Sequence, residues 1–384
     1  MARTVPLSVL STASEQLPPQ RIAILRALYL GDLLCATPAF RALHERFPTA
    51  ELTLIGLPWA AGFVDRSPHL DRFLAFPGHP GLEDEPPIPG AAEACCAAMR
   101  DSPYDLVLQL HGDGSASNGF VAALGARRTL GYRRDATDQR LDESLSYPDA
   151  EHETRRWLRL VAALGARTDD LRPVFPLTVT EAASAAAFLA GHPALGGERH
   201  RTLIGLHVGA KDPARRWPPE RFAALGNHLW THHGAALVLT GGAAERPLAE
   251  AVRRALHAPV LDLVGKTDLG QFAATIAGLD LLVTNDTGAS HLAAASVTPS
   301  VVLFGPTRPE QWAPLDERRH CALDARALVP GGEDGAFALR QLPIGPVLAA
   351  CEELLRLHGA DPVDHITERV LPRFARTSRG ELEG

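Results

Sequence analysis

The chain has 384 residues, of which 46% are hydrophobic and 22% charged, a size that exceeds one compact core and implies two domains. Its formal net charge of −7 argues against a general nucleic-acid binder. Cys35, Cys95, Cys96, Cys321 and Cys351 lack zinc-type spacing and fit reduced thiols in a cytoplasmic protein, while no apolar run approaches the roughly 18 residues of a membrane span.

Residues 1–20 read as a flexible leader, because the apolar run from Val5 to Leu10 is broken by Pro6 and too short for a signal-peptide core. A buried strand from Arg21 to Leu28 follows, then the turn Gly31-Asp32, then a helix to about Arg46. Thr37-Pro38 is placed in the first turns of that helix, where proline is tolerated. Strands at Leu52 to Ile55, near Arg72 to Phe76 and at Asp105 to Leu110 alternate with helical material, the pattern of a parallel sheet covered on both faces. The proline- and glycine-rich stretch 77–90 reads as a loop, and His111 to Gly114 as a glycine turn at a strand's carboxyl end. Arg127, Arg128, Arg133, Arg134, Arg140, Arg155, Arg156 and Arg159 make a basic cluster, either a solvated face or a surface for a negatively charged acceptor.

Around Leu171 to Gly197 the pattern changes: a strand-like run from Val174 to Val179 leads to an alanine-rich helix, and this marks the domain boundary. From Thr202 the alternation restarts, with strands at Thr202 to His207, Ala236 to Thr240, Val260 and Leu281 to Val283, and a further strand in Val301 to Pro306. Helices are expected at Pro218 to His232, Ala243 to Leu256 and Asp268 to Ala277, with another opening at Thr287-Gly288. The expected fold class is α/β, two Rossmann-like domains facing a cleft, spanning residues 21–180 and 181–345.

The turns of the second unit carry ligand chemistry. Lys211, Arg215 and Arg216 follow its first strand and offer charge to a diphosphate. Gly241-Gly242 permit close approach, and Glu245 can accept bonds from a ribose diol; Thr267 lies on the turn after the third strand. A helix opening at Asp286-Thr287-Gly288 points free N–H groups out of the sheet edge, which suits phosphate, and His291 sits one turn inside. The alternative at these positions is structural: Asp32, Asp286 or Thr287 as a helix cap and His291 as a partly buried histidine. His228, His232 and His233 show no carboxylate partner in the sequence, so no metal site is expected. Neither half has a G-x-G-x-x-G turn or a G-x-x-x-x-G-K-S/T loop, which disfavours a nicotinamide enzyme or P-loop ATPase.

Taken in order, Gly31-Asp32 with Thr37-Pro38-Ala39, then Arg215-x-Trp217-Pro218, Gly241-Gly242-x-x-Glu245, Asp286-Thr287-Gly288-x-x-His291 and Phe304-Gly305-Pro306-Thr307 form five spaced motifs over residues 21–357. This series resembles glycosyltransferase family 9, the heptosyltransferases of lipopolysaccharide synthesis. The resemblance implies a GT-B fold and inverting, metal-independent transfer from an ADP-heptose donor held by the C-terminal domain, with no cofactor. It also implies a glycan or lipid-linked sugar acceptor on the N-terminal domain and a peripheral contact with the inner membrane. Carried over by position, Asp32 matches the catalytic base, Arg215 the donor-phosphate cation, Glu245 the ribose-binding acid, and Asp286, Thr287, Gly288 and His291 the diphosphate turn; Lys211 and Thr267 complete the expected donor set. Residues 346–384 are then a C-terminal helix packing back across the domains, plus a flexible tail. Three other readings compete: a nucleotide-sugar epimerase of the same fold, a non-catalytic nucleotide-sugar-binding protein and, least favoured, a purely structural interaction protein.

Overall fold

Short, largely apolar runs such as Ile22 to Leu25, Leu52 to Ile55 and Val301 to Phe304 are buried on both faces, the mark of strands inside parallel sheets. In the computed structural model, which describes residues 17–82, 89–195 and 202–358, these runs build two six-stranded sheets. The first contains β1 (Arg21–Leu25), β2 (Glu51–Gly56), β3 (Arg72–Ala75), β4 (Leu106–Gln109), β5 (Thr129–Arg133) and β6 (Glu143–Ser146), in the order β3-β2-β1-β4-β5-β6. The second contains β7 (Leu203–His207), β8 (Ala236–Thr240), β9 (Val260–Asp262), β10 (Leu281–Asn285), β11 (Ser300–Phe304) and β12 (His320–Asp324), in the order β12-β11-β10-β7-β8-β9. Every strand pair in both is parallel, with Ile22 opposite Leu52 and Leu106, and Leu206 opposite Leu239 and Val283. The strand order is the same in the two sheets and reverses at β1/β4 and at β7/β10; these switch points are where open parallel sheets leave a crevice at their carboxyl edge.

Helices Leu30–Arg46 and Gly288–Ser296 pack on each other, and Leu33, Leu34, Ala289, Leu292 and Ala293 lie in one buried cluster spanning both domains. Helix Val179–Gly191 adds a second tie. Its Ala182 and Leu189 lie in the same cluster as Ala273 and Ala274 of the second domain, while Glu181 receives Arg66 of the first through bonds of 2.8 and 2.9 Å.

Several sequence expectations need revising. Val174 to Thr178 forms no strand, because Pro173 and Pro176 remove ladder donors; the segment ends in a capping box between Thr178 and Glu181 that starts the next helix. Pro38 lies well inside helix Leu30–Arg46 and not in its opening turns. The Leu34 carbonyl that its missing N–H would have served accepts the Thr37 hydroxyl at 2.7 Å. Helix Ile344–His358 buries Val347, Cys351 and Leu354 in the core of the second domain and packs on β10, β11 and β12. The strands β5, β6 and β12 were not anticipated. Leader residues 1–16, part of the 77–90 loop and the tail from 359 lie outside the described residues.

Candidate active site

Where β1 ends, an otherwise apolar strand gives way to Arg26, which is fully buried. Its guanidinium donates from Nε and Nη2 to the Asp32 carbonyl at 3.1 and 2.7 Å, from Nη1 to the Leu110 carbonyl at 2.7 Å, and from Nη2 to Glu153 Oε1 at 2.8 Å. It also stacks on Trp157 at 4.7 Å, whose indole donates to the same Glu153 oxygen at 2.9 Å. Arg156 binds the other Glu153 oxygen. A single buried arginine thereby fastens the ends of β1 and β4, the start of helix Leu30–Arg46 and helix Glu153–Ala162, a geometry that its planar fork of donors permits and a lysine would not.

On this base, Asp32 occupies the first turn of helix Leu30–Arg46, its side chain 26% exposed and Oδ1 3.8 Å from Arg26. Burial pushes its carboxyl up to about 6; Glu153 adds to the rise, and the Arg26 and Arg215 charges hold it down. The N-cap of this helix is Tyr29, which makes no side-chain cap bond. Asp32 is therefore not the cap that a purely structural reading assigned to it.

The second domain supplies the opposite wall. Thr287 caps helix Gly288–Ser296, its hydroxyl accepting from the Ala289 N–H at 3.3 Å. Asp286 is buried, accepts the Thr307 hydroxyl at 2.6 Å and lies 3.5 Å from Arg215 Nη1. Burial raises its carboxyl while Thr307 and Arg215 oppose the rise. Arg215 is 40% exposed, and its buried Nε has no hydrogen-bond partner among the described residues. An orphaned charged donor beside a helix N-terminus fits a site for an anion. His291 is buried with Nδ1 3.5 Å from Cys35 Sγ, and a Cβ on Gly31 would fall 2.9 Å from its Cδ2. Burial lowers His291 to about 4, with His152 and His320 contributing, so the ring is neutral at pH 7.

Asp32, Arg215, Asp286, Thr287, Gly288 and His291 thus meet where the two carboxyl edges face each other. Lys211 reaches across the boundary, its Nζ 2.5 Å from the Tyr29 hydroxyl. Glu245 lies at the ends of β7 and β8, accepting the Gly242 N–H at 2.7 Å; its carboxylate occupies the space where a side chain on Gly209 would stand. Thr267 is half-buried on the loop between β9 and helix Leu269–Ala277. The arginine cluster of the first domain resolves largely into pairs: Arg127 with Asp105, Arg128 with Glu143, Arg134 with Asp113 and Asp149, Arg140 with Asp138, and Arg159 with Glu151.

Sequence reasoning missed Arg26, Glu153 and Asn285. Asn285 Oδ1 accepts the Trp217 N–H at 3.0 Å and its Nδ2 donates to the Val208 and Gly209 carbonyls at 3.1 and 3.0 Å, which pins the Arg215 loop against the Thr287 turn. The usable signal for Arg26 was a charge ending an apolar strand; Glu153 gave none, since its partners are remote in sequence.

Two six-stranded parallel sheets of the same strand order, with their carboxyl edges facing across a cleft lined by an acid on one lip and a helix start on the other, define an α/β protein of the GT-B fold. Residues 94–330 match the family model of glycosyltransferase family 9 (heptosyltransferase), and the chain belongs to that family. It is 28% identical over 310 residues to lipooligosaccharide heptosyltransferase 2 of Haemophilus influenzae, covering 77% of this chain and 86% of that one. To lipopolysaccharide heptosyltransferase 2 of Escherichia coli it is 28% identical over 319 residues, covering 78% and 86%. The solved structure of the E. coli ADP-heptose lipopolysaccharide heptosyltransferase II superposes with a TM-score of 0.70 at 23% identity, covering 88% of this chain and all of that one. The protein is a glycosyltransferase.

Proposed function

We propose that this enzyme transfers a heptose, or a similar sugar, from an ADP-sugar to a lipopolysaccharide-core or related glycan acceptor, with inversion and without a metal. The observation that carries this reading is the apposition of Asp32, from the first domain, to Arg215 and the Thr287-capped helix of the second. The names of the related enzymes supply the donor and acceptor classes.

An acceptor hydroxyl is a weak nucleophile, and Asp32 takes its proton as the oxygen attacks the anomeric carbon. A carboxyl held at about 6 is ionised at pH 7 yet a stronger base than an ordinary aspartate. The new C–O bond forms on the face opposite the diphosphate, the bond to the phosphate oxygen breaks, and the nucleoside diphosphate leaves with the electron pair. Arg215 and the N–H groups opening helix Gly288–Ser296 stabilise the charge that develops, the role a metal has in other transferases. Asp286, neutralised in part by Arg215 and bonded to Thr307, orients the arginine. Glu245 receives the ribose diol and Lys211 closes over the donor; Thr267 borders the nucleoside. The acceptor lies on the first domain, which works at the inner face of the cytoplasmic membrane; no helix among the described residues is long and apolar enough to cross it.

The test is transfer from ADP-heptose to lipopolysaccharide stripped of its outer heptoses, with the product's anomeric configuration read by NMR. The expected product has the configuration opposite to the donor's. Retained configuration, conversion of the donor without an acceptor, or binding without turnover would each overturn the proposal, the last two in favour of an epimerase or a non-catalytic binder.

A further inference from the structure

Away from the cleft, helix Pro219–His233 carries three histidines near its end, and helix Ile344–His358 passes beside it. The sequence shows no carboxylate near these histidines, but the fold supplies Glu352. His233 Nε2 lies 3.1 Å from Glu352 Oε1, and one ligand atom from each of His228, His233 and Glu352 falls within 4.8 Å of the others. We propose that these three side chains form a binding site for a divalent transition cation of the zinc class, which clamps helix Ile344–His358 to helix Pro219–His233.

The platform is rigid and the donor ends are accessible. Leu229 and Cys351, the neighbours of His228 and Glu352, are buried in the same core, so the backbones carrying the donors are fixed. The side chains of His233 and Glu352 are 33% and 46% exposed, which leaves them free to rotate. His232 stacks on His228 at 4.2 Å between ring centroids and limits that ring's freedom. Zinc bonds of about 2.0–2.2 Å need ligand atoms a little over 3 Å apart, a contraction that rotation of exposed side chains supplies. Two imidazoles and one carboxylate, with water in the fourth position, suit zinc or its neighbours; magnesium and calcium demand more oxygen ligands.

The location fixes the role. Helix Pro219–His233 starts beside the Arg215 turn at the carboxyl edge of the second sheet and ends just before β8 begins at Ala236, at the amino edge. The cluster therefore lies at the far side of the sheet from Asp286 and Thr287. A cation there acts on stability and has no access to the reacting sugar, so the site is independent of the proposed transfer.

The experiment uses the full chain stripped of metal by a chelator and titrated with zinc or magnesium chloride. Melting temperature and competition with a chromophoric zinc chelator are the readouts, and cobalt(II) absorption reports the ligand type. One zinc per chain is expected, raising the melting temperature by a few degrees, with no effect of magnesium. His233→Ala and Glu352→Gln should each weaken binding at least tenfold, whereas His44→Ala, a histidine on helix Leu30–Arg46 of the first domain, should not. Because the altered side chains are accessible, the metal-free variants should melt within a degree or two of the parent, and affinity is compared only among variants that do. Unchanged zinc affinity in the double variant His228→Ala with His233→Ala, an intense thiolate-to-cobalt band from the cysteines, or an equal response to magnesium would overturn the proposal.

Discussion

Gly31 and His291 face each other across the domain boundary, so closely that a methyl on Gly31 would lie 2.9 Å from His291 Cδ2 and 3.5 Å from the Gly288 Cα. The contact sets how near the Asp32 turn comes to the start of helix Gly288–Ser296. Gly31→Ala should therefore push the two helix starts apart, with a stability loss of about 1–3 kcal/mol, the usual cost of overpacking. Turnover should fall further than stability explains. The checks are chemical denaturation and steady-state kinetics on the same preparation; an unchanged rate would mean that this spacing does not govern catalysis.

The donor site predicts an effect on nucleotide binding. ADP should raise the melting temperature, and Arg215→Ala should weaken ADP about tenfold, the scale of one charge-assisted hydrogen bond. Isothermal titration provides the measurement. The same substitution leaves Asp286 buried without its cation, so a parallel Arg215→Lys variant, which keeps the charge, should recover part of the affinity.

Much of this arrangement was legible in the sequence because the second domain keeps its ligand turns local. The glycines, Glu245 and the Asp286-Thr287-Gly288 opening each sit between a strand and a helix that periodicity reveals. What stayed hidden depends on distance along the chain. Glu153 meets Arg26 only after the first sheet has formed, 127 residues apart. The strands β5 and β6 escaped notice because the half-exposed β6 and the arginines around both read as polar surface. The sequence leaves Asp32 open to a capping role, and the structure gives that position to Tyr29. The charge of Lys211 is readable in the sequence, but its hydrogen bond to Tyr29 in the other domain is not.

Acid should destabilise the fold through its buried histidines. His291 and His320 are both held near 4 by burial, below their ordinary 6.5. Below 6.5 the unfolded chain takes up protons that these native rings refuse until about 4, so stability is full above that window and declines as pH falls through it. Each ring accounts for a loss of the order of 2 kcal/mol. Melting curves between pH 7.5 and 4.5 should show the decline, and His320→Asn should flatten it; a pH-independent midpoint would contradict the burial argument.

Catalysis should show a separate acid limb. With Asp32 held at about 6, the rate should fall as pH drops through that value, and Glu153→Gln should move the limb downward by removing a charge that raises it. A limb that stays in place in the Glu153 variant would assign it to another group.

Because the compensating charge comes from Arg215 and a helix start, transfer should survive EDTA, even where the chelator lowers the melting temperature by emptying the His228 and Glu352 cluster. Activity lost in EDTA and restored by magnesium or manganese would replace the mechanism.

The central claim is that Asp32 acts on the acceptor proton while the donor is held by the other domain, and Asp32→Asn tests it most directly. The folded value of Asp32, about 6, lies above its ordinary 3.8, so its charge opposes folding at pH 7 and its removal should leave the protein as stable or more so. ADP affinity should be unchanged and turnover should drop by about a hundredfold or more, the usual scale for a lost general base. A stable Asp32→Asn enzyme that binds ADP normally and transfers sugar at a near-normal rate would contradict the account.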